Sequence, residues 1–215
     1  MERISSKKTV SISAPNFRVA EFEIRGTSPL VIHRFSAKTK EEMKQKMETG
    51  KAASSKKNRE AKSTDDLYEN AYYASKDGWQ GFHAAAIRNG MISACRLVNF
   101  KMTMAKLSLF VLADGCDAKE MQVPLVRIYG DSVKQEDMAK TSTMQPYVCV
   151  RAAYHNWYSN VRIRWDNDQF TIDDVFNLLS RVGGQVGICE GRPDSKNTPG
   201  MGWGLFEVSK GKIIM

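Results

Sequence analysis

The sequence of 215 residues contains no apolar run long enough to cross a bilayer, which excludes a helical membrane protein. Its four cysteines, Cys95, Cys116, Cys149 and Cys189, include no Cys-x-x-Cys pair, so neither a zinc ribbon nor a disulfide framework is expected. Only three histidines occur, His33, His83 and His155, without His-x-x-x-His or His-Glu-x-x-His spacing. No metal site or cofactor is expected, and nothing in the pattern marks a catalytic base. No apolar segment follows Met1, Glu2 and Arg3, so the expectation is a reduced, cytoplasmic setting without export. Negative charge is also short: 24 acidic residues face 32 lysines and arginines, a formal net charge of +8. Such an excess suits an anionic partner, with nucleic acid the first candidate. The hydrophobic fraction of 42% and charged fraction of 26% are those of an ordinary globular chain.

Along the chain, Phe17 to Gly26 alternates apolar and charged residues and predicts the first core strand. Leu30-Val31-Ile32 continues as a short extended piece ending at His33 and Arg34. Ser36 can cap a charged helix over 38–48, and 64–74 predicts a second helix with Asp65 and Asp66 in its first turn. Between these helices lie Lys51, Lys56, Lys57, Arg59 and Lys62 with one acid, Glu60, a composition shift that marks residues 36–78 as an insertion within a single domain, 1–215. From His83 to Val98 the spacing of Ile87, Met91, Ala94, Cys95 and Val98 predicts a core helix. Residues 101–112 read as a strand with a phase slip near Ala105, and 123–129 as an edge strand containing Pro124. Residues 130–143 read as a polar connection and 145–150 as a short strand. A strand over 158–165 follows, then a helix over 171–182 capped by Thr171, and a last strand over 203–208.

Reduced to its strongest elements, this order is β-α-β-β-α-β. It predicts an α+β, ferredoxin-like (RNA-recognition-motif-like) antiparallel sheet, with two core helices on one face and the other face left open.

Two stretches carry the functional expectation. The first joins the last helix to the last strand: Gly183, Gly184, Gly187 and Gly191, then Arg192, Lys196, Gly200, Gly202, Trp203 and Gly204. Glycines present backbone N–H groups without side-chain obstruction, which with Arg192 and Lys196 suits contact with phosphate or ribose. Trp203 is either a stacking face for a base or a core residue pinning the start of the strand. The second stretch interleaves Arg151, Tyr154, His155, Trp157, Tyr158, Arg162 and Arg164. Basic tracks with aromatic faces are how single strands are bound without sequence preference, although Trp157 and Tyr158 also suit a core. Arg162 and Arg164 share one face of a strand because side chains alternate, and two arginines are expected to be exposed. The expected contact set is completed by His33, Arg34 and the insertion cations Lys51, Lys56, Lys57, Arg59 and Lys62.

An element order whose second helix runs into Gly183-Gly184 and then Gly200 to Val208 resembles the RAMP superfamily, the RNA-recognition-motif-like proteins of CRISPR ribonucleoproteins. In that family a glycine-rich loop before the last strand lies against RNA, and backbone subunits carry a basic insertion after the first strand, where 36–78 falls here. The likeness spans roughly 17–208 but only the loop is motif-like. The loop here is long, interrupted by Pro193 and Pro199, and places Trp203 where a small or basic residue is usual, which shifts the expectation at that position from cradling phosphate to stacking. The segment Ser28 to Phe35, with the Gly204 to Val208 end, also resembles a group of bacteriophage proteins. These likenesses imply a non-catalytic, largely sequence-independent binder of single-stranded nucleic acid, DNA slightly before RNA, forming homo-oligomers along the strand in a bacterial cytoplasm. Two alternatives stay open: an interaction protein acting on a host complex, and a metal-independent ribonuclease using a histidine.

Overall fold

The computed structural model describes residues 12–34, 44, 47–48, 63–140, 144–195, 200–209 and 211–214. The fold is mixed α+β with antiparallel sheets. Its principal sheet is built on β1 (Phe17–Gly26) and β10 (Tyr158–Asp166), which pair over nearly their whole length with Phe22 opposite Val161 and Ala20 opposite Ile163. β5 (Leu109–Leu112) extends the far edge of β10. β11 (Phe206–Val208) and β12 (Lys212–Ile213) share the free edge of β1, so the sheet order is β11-β1-β10-β5.

One face of this sheet carries the core. Ala20, Phe22 and Ile24 of β1 and Val161, Ile163 and Trp165 of β10 are all buried there. Two helices cover them. α2 (Ala85–Ala94) supplies Ile87 and Met91, and α4 (Ile172–Arg181) supplies Val175, Leu178 and Leu179. Each such large apolar side chain contributes about 1.5–3 kcal/mol on leaving water. α4 begins where the sequence says it should: the Thr171 hydroxyl accepts from the Asp174 N–H at 3.1 Å, and the Asp174 carboxylate accepts from the Thr171 N–H at 2.9 Å.

Two further sheets flank this layer. β3 (Tyr73–Ala74), β4 (Gln80–His83), β7 (Pro124–Arg127) and β6 (Gly115–Cys116) form one, in the order β3-β4-β7-β6. β2 (Leu30–Ile32) pairs with the long hairpin of β8 (Ser132–Lys140) and β9 (Pro146–Tyr154) to form the other. α1 (Thr64–Glu69) is shorter than expected and is followed by β3; its cap, Ser63, accepts from the Asp65 N–H at 3.2 Å. The expected helix over 38–48 lies largely outside the described residues.

Three readings of the sequence are corrected. Residues 101–112 are not one strand: α3 (Met102–Ser108) precedes β5. Methionine, alanine, lysine and leucine are strong helix formers, and Ala105, Ser108 and Leu109 fall on one helical face and are buried. The phase slip near Ala105 lies within this helix. The polar connection at 130–143 contains β8, which pairs with β9 from Ser132 opposite Tyr154 to Lys140 opposite Pro146. Its outer half projects from the body with Met138 exposed, so a backbone ladder, without an apolar face, holds it extended. β9 also runs on to Tyr154, which places Arg151 and Tyr154 inside a strand.

Candidate nucleic-acid interface

Strand alternation assigns the face opposite the helices: Phe17, the buried Val19, Glu21, Glu23 and Arg25 from β1, Tyr158, Asn160, Arg162, Arg164 and Asp166 from β10, and Phe110 and Leu112 from β5. Two aromatic–guanidinium groups stand on it. In the first, Phe17 and Phe110 meet edge to face with ring centroids 6.0 Å apart, and the Arg164 guanidinium carbon lies 4.8 Å from one ring and 4.7 Å from the other. No carboxylate among the described residues pairs with Arg164, and its buried Nε has no hydrogen-bond partner there. Arg88 approaches the same Phe110 ring at 5.5 Å. In the second, Tyr129 and Tyr158 stack at 4.6 Å with an interplanar angle of 9°. Their backbones exchange hydrogen bonds of 2.9 and 3.0 Å, which fixes the rings in register. Arg25 lies over Tyr158 at 5.4 Å and Arg127 over Tyr129 at 4.8 Å.

The arrangement holds guanidinium carbons 4.7–5.5 Å from ring centroids, which restricts these side chains before they meet an anion or a base. It is not uniformly positive. Arg25 pairs with Glu23 at 3.1 Å. Arg162 donates to the Ala113 carbonyl at 2.8 Å and to Asp114 at 2.9 Å, so it shares the face with Arg164 as expected but is already engaged. Acidic and basic residues nearly balance among the described residues, so the positive excess of the chain falls outside them, in segments that include Lys51, Lys56, Lys57, Arg59, Lys62 and Lys196.

Three expected contacts are corrected by burial. The Arg34 side chain is 1% exposed and forms ion pairs with Asp117 at 2.8 Å and Glu120 at 3.1 Å, so it neutralises a buried carboxylate and cannot reach a ligand. Tyr154 is fully buried and donates its O–H to Gln80 at 2.6 Å, and burial pushes its phenol well above the usual range. Trp157 is buried, donates its indole N–H to the Ser28 carbonyl at 2.9 Å and packs edge to face on Phe206. Its ring lies so close to Gly26 that a Cβ there would stand 2.1 Å from Nε1. Arg151 is tied to Asp137 at 2.8 Å and to Glu190 at 3.6 Å. His33 is at the surface with Nε2 3.8 Å from Cys149 Sγ; burial and the Arg151 charge hold its imidazole below the usual range, against the opposing pull of Glu190.

The glycine loop is a built structure. α4 ends in a single π turn, Val182–Val186, and a Cβ on Gly183 would lie 2.1 Å from the Phe206 carbonyl oxygen, so only glycine lets this turn close onto β11. Gly191, at φ +64°, accepts from the N–H groups of Met201 and Trp203 and lies under the half-buried Trp203 ring. The Trp203 indole therefore packs on its own loop, half-buried and outside the core cluster. Arg192 donates to the Cys189 carbonyl at 3.0 Å, and Gly200 approaches the Arg192 carbonyl. Of the two loop glycines expected to touch a ligand, Gly202 alone faces open space.

The sequence reading missed Phe17, Phe110, Arg25, Arg127 and Tyr129 as site residues. Register was the missing signal, since Arg164 and Phe110 become cross-strand neighbours only once β5 is cut to four residues and aligned. Among the described residues no group of three His, Cys, Asp or Glu is placed to hold a metal ion, and no helix is long and apolar enough to cross a membrane. Comparison of the chain with models of known families and with curated proteins gives no match.

Proposed function

We propose that the chain is a non-catalytic binder of single-stranded nucleic acid, largely indifferent to sequence, which lays the strand across the open face of the principal sheet. The observation that carries this reading is Arg164, presented on the Phe17–Phe110 pair without a carboxylate partner beside the Arg25, Tyr158, Tyr129 and Arg127 group. Rings and guanidinium planes serve any base, because every base has a π face.

The architecture supports a ferredoxin-like fold. Taking β1, β5, β10 and β11 as its four strands, the spatial order is fourth, first, third, second, with α2 between the first and second in sequence and α4 between the third and fourth. That order agrees with the RAMP-type resemblance of the sequence, and with the bacteriophage likeness it favours a phage-encoded protein that assembles side by side along DNA. The lysines and arginine of 51–62 supply backbone charge in this reading.

Fluorescence anisotropy with labelled single-stranded DNA and RNA, read over a range of salt, tests it. Neutralising about four phosphates gives a slope of log K against log salt of about -3. Absence of binding to both strands overturns the reading, and a salt-insensitive affinity removes its electrostatic part. A pull-down from host lysate that finds a protein target without nucleic-acid affinity favours the interaction-protein alternative.

A further inference from the structure

A cavity of about 930 Å³ lies between α2 and the loop 186–194. That volume is in the range of small-molecule sites. Ile32, Phe82 and Ile92, all buried, close its floor, and Tyr73 gives it an aromatic wall. Its charges do not cancel. Asp194 is held by Ser93 and by Arg96 at 2.7 Å, and Glu190 faces Arg151 at 3.6 Å, so both acids at the rim are engaged. Arg88, Arg192 and Lys106 form no close ion pair with a carboxylate among the described residues, although, against the effect of burial, the Arg192 charge joins Ser93 and Arg96 in holding the Asp194 carboxyl below the usual range. Arg88 is oriented by two backbone carbonyls, with Nε donating to Leu109 at 2.8 Å and Nη2 to Lys106 at 2.5 Å. Arg192 is oriented by the Cys189 carbonyl. Carbonyls position a guanidinium without neutralising it, so each keeps donors for an anion.

His83 adds a directed donor. The Ala85 N–H donates to His83 Nδ1 at 3.0 Å, which makes Nδ1 the acceptor and leaves the proton of the neutral ring on Nε2. The first turn of α2 contributes Ala85 and Ala86 to the lining, has no side-chain cap and contains no acid.

We propose that this cavity binds one nucleoside monophosphate unit, with the phosphate held by Arg88, Arg192 and Lys106 and the base against Tyr73. The unit has two sources, a free nucleotide or the phosphorylated end of a strand. The site adjoins the open sheet face at Arg88, which also approaches the Phe110 ring at 5.5 Å, but it does not rest on the function proposed for that face.

Titration calorimetry of the full chain with AMP and UMP tests the site, with adenosine and inorganic phosphate as partial ligands. Both nucleotides are expected to bind at least about 10-fold more tightly than adenosine, since each charge-assisted hydrogen bond lost from the phosphate is worth about that factor. Arg192→Gln and Lys106→Ala are expected to weaken AMP by about 10-fold each. Lys106 is exposed, so its variant keeps the test readable even where Arg192→Gln perturbs the loop. Met138→Ser, at an exposed residue outside the cavity lining, is expected to leave AMP affinity unchanged. A 5′-phosphorylated oligonucleotide that outcompetes its 5′-hydroxyl counterpart for the AMP site assigns the strand end as the source, and equal competition assigns the free nucleotide. Failure of both nucleotides to bind at millimolar concentration, adenosine binding as tightly as AMP, or AMP binding unmoved by both cavity variants overturns the proposal.

Discussion

Arg34→Met separates a structural cation from a ligand contact. One guanidinium nitrogen of Arg34 meets Asp117 at 2.8 Å and Glu120 at 3.1 Å, and the Arg34 and Asp117 side chains are each 1% exposed. After the substitution Asp117 keeps the backbone N–H groups of Ala74 at 3.3 Å and Glu120 at 2.7 Å, but its charge has no cation. Glu120, at 27% exposed, turns to water and adds little. Removing one partner of a buried pair costs about 3–5 kcal/mol, because the remaining charge stays desolvated. With a urea slope of about 3 kcal/mol per molar, suited to a chain of this size, the unfolding midpoint falls by about 1–1.7 M. Tryptophan fluorescence in urea measures it. Adding Asp117→Asn removes the stranded charge and restores about 1–2 kcal/mol. A loss below about 1 kcal/mol, or a double variant no more stable than the single one, refutes the assignment of Arg34 to the core.

Other consequences are as direct. Thr171→Ala removes the hydroxyl that caps α4 and is expected to cost about 1 kcal/mol in urea unfolding, with no loss contradicting the capping box. Gly183→Ala drives a Cβ onto the Phe206 carbonyl and is expected to cost at least about 1–3 kcal/mol, whereas Gly184→Ala, with nothing within 4 Å, stays within about 0.5 kcal/mol. Equal effects at the two glycines refute the close-approach explanation. Burial holds His33 and His83 below the ordinary imidazole value of 6.5, so the unfolded chain takes up their protons first as pH falls. Their contribution to stability is therefore fully present above pH 6.5 and is lost as pH drops through that value toward the folded ones. Proton NMR titration of the two imidazoles checks this, and a value at or above 6.5 for either contradicts it.

Much of the scaffold was legible. β1, β10, α2 and α4 announce themselves because each buries one face against a single layer, so period two or period 3.6 survives in the sequence, and Thr171 with Asp173 and Asp174 marks a helix start. α3 and β8 were not. Met102 to Ser108 buries only Ala105 and Ser108, too thin a stripe to outvote the alternation of methionines, and the outer part of β8 buries neither face. In the site, the shared face of Arg162 and Arg164 followed from alternation alone. Their different fates did not, since Asp114 and Phe110 reach them from β5 and the turn after it. Trp157 and Tyr154 mislead for a related reason: an aromatic beside arginines reads as a stacking face, yet each hydrogen-bonds its polar tip to a partner distant in sequence, Ser28 or Gln80.

The most direct test of strand binding on the open face is the affinity of Arg164→Ala and Tyr158→Ala for a labelled single-stranded oligonucleotide, measured beside wild type at one salt concentration. Loss of a charge-assisted contact or of a stacked base, each worth about 1–3 kcal/mol, is expected to weaken binding by about 5- to 150-fold in either variant. Met138→Ser at the hairpin, far from the sheet face, is expected to leave it unchanged. Affinity equal to wild type in both face variants, with the fold intact, contradicts the assignment of this surface to nucleic acid.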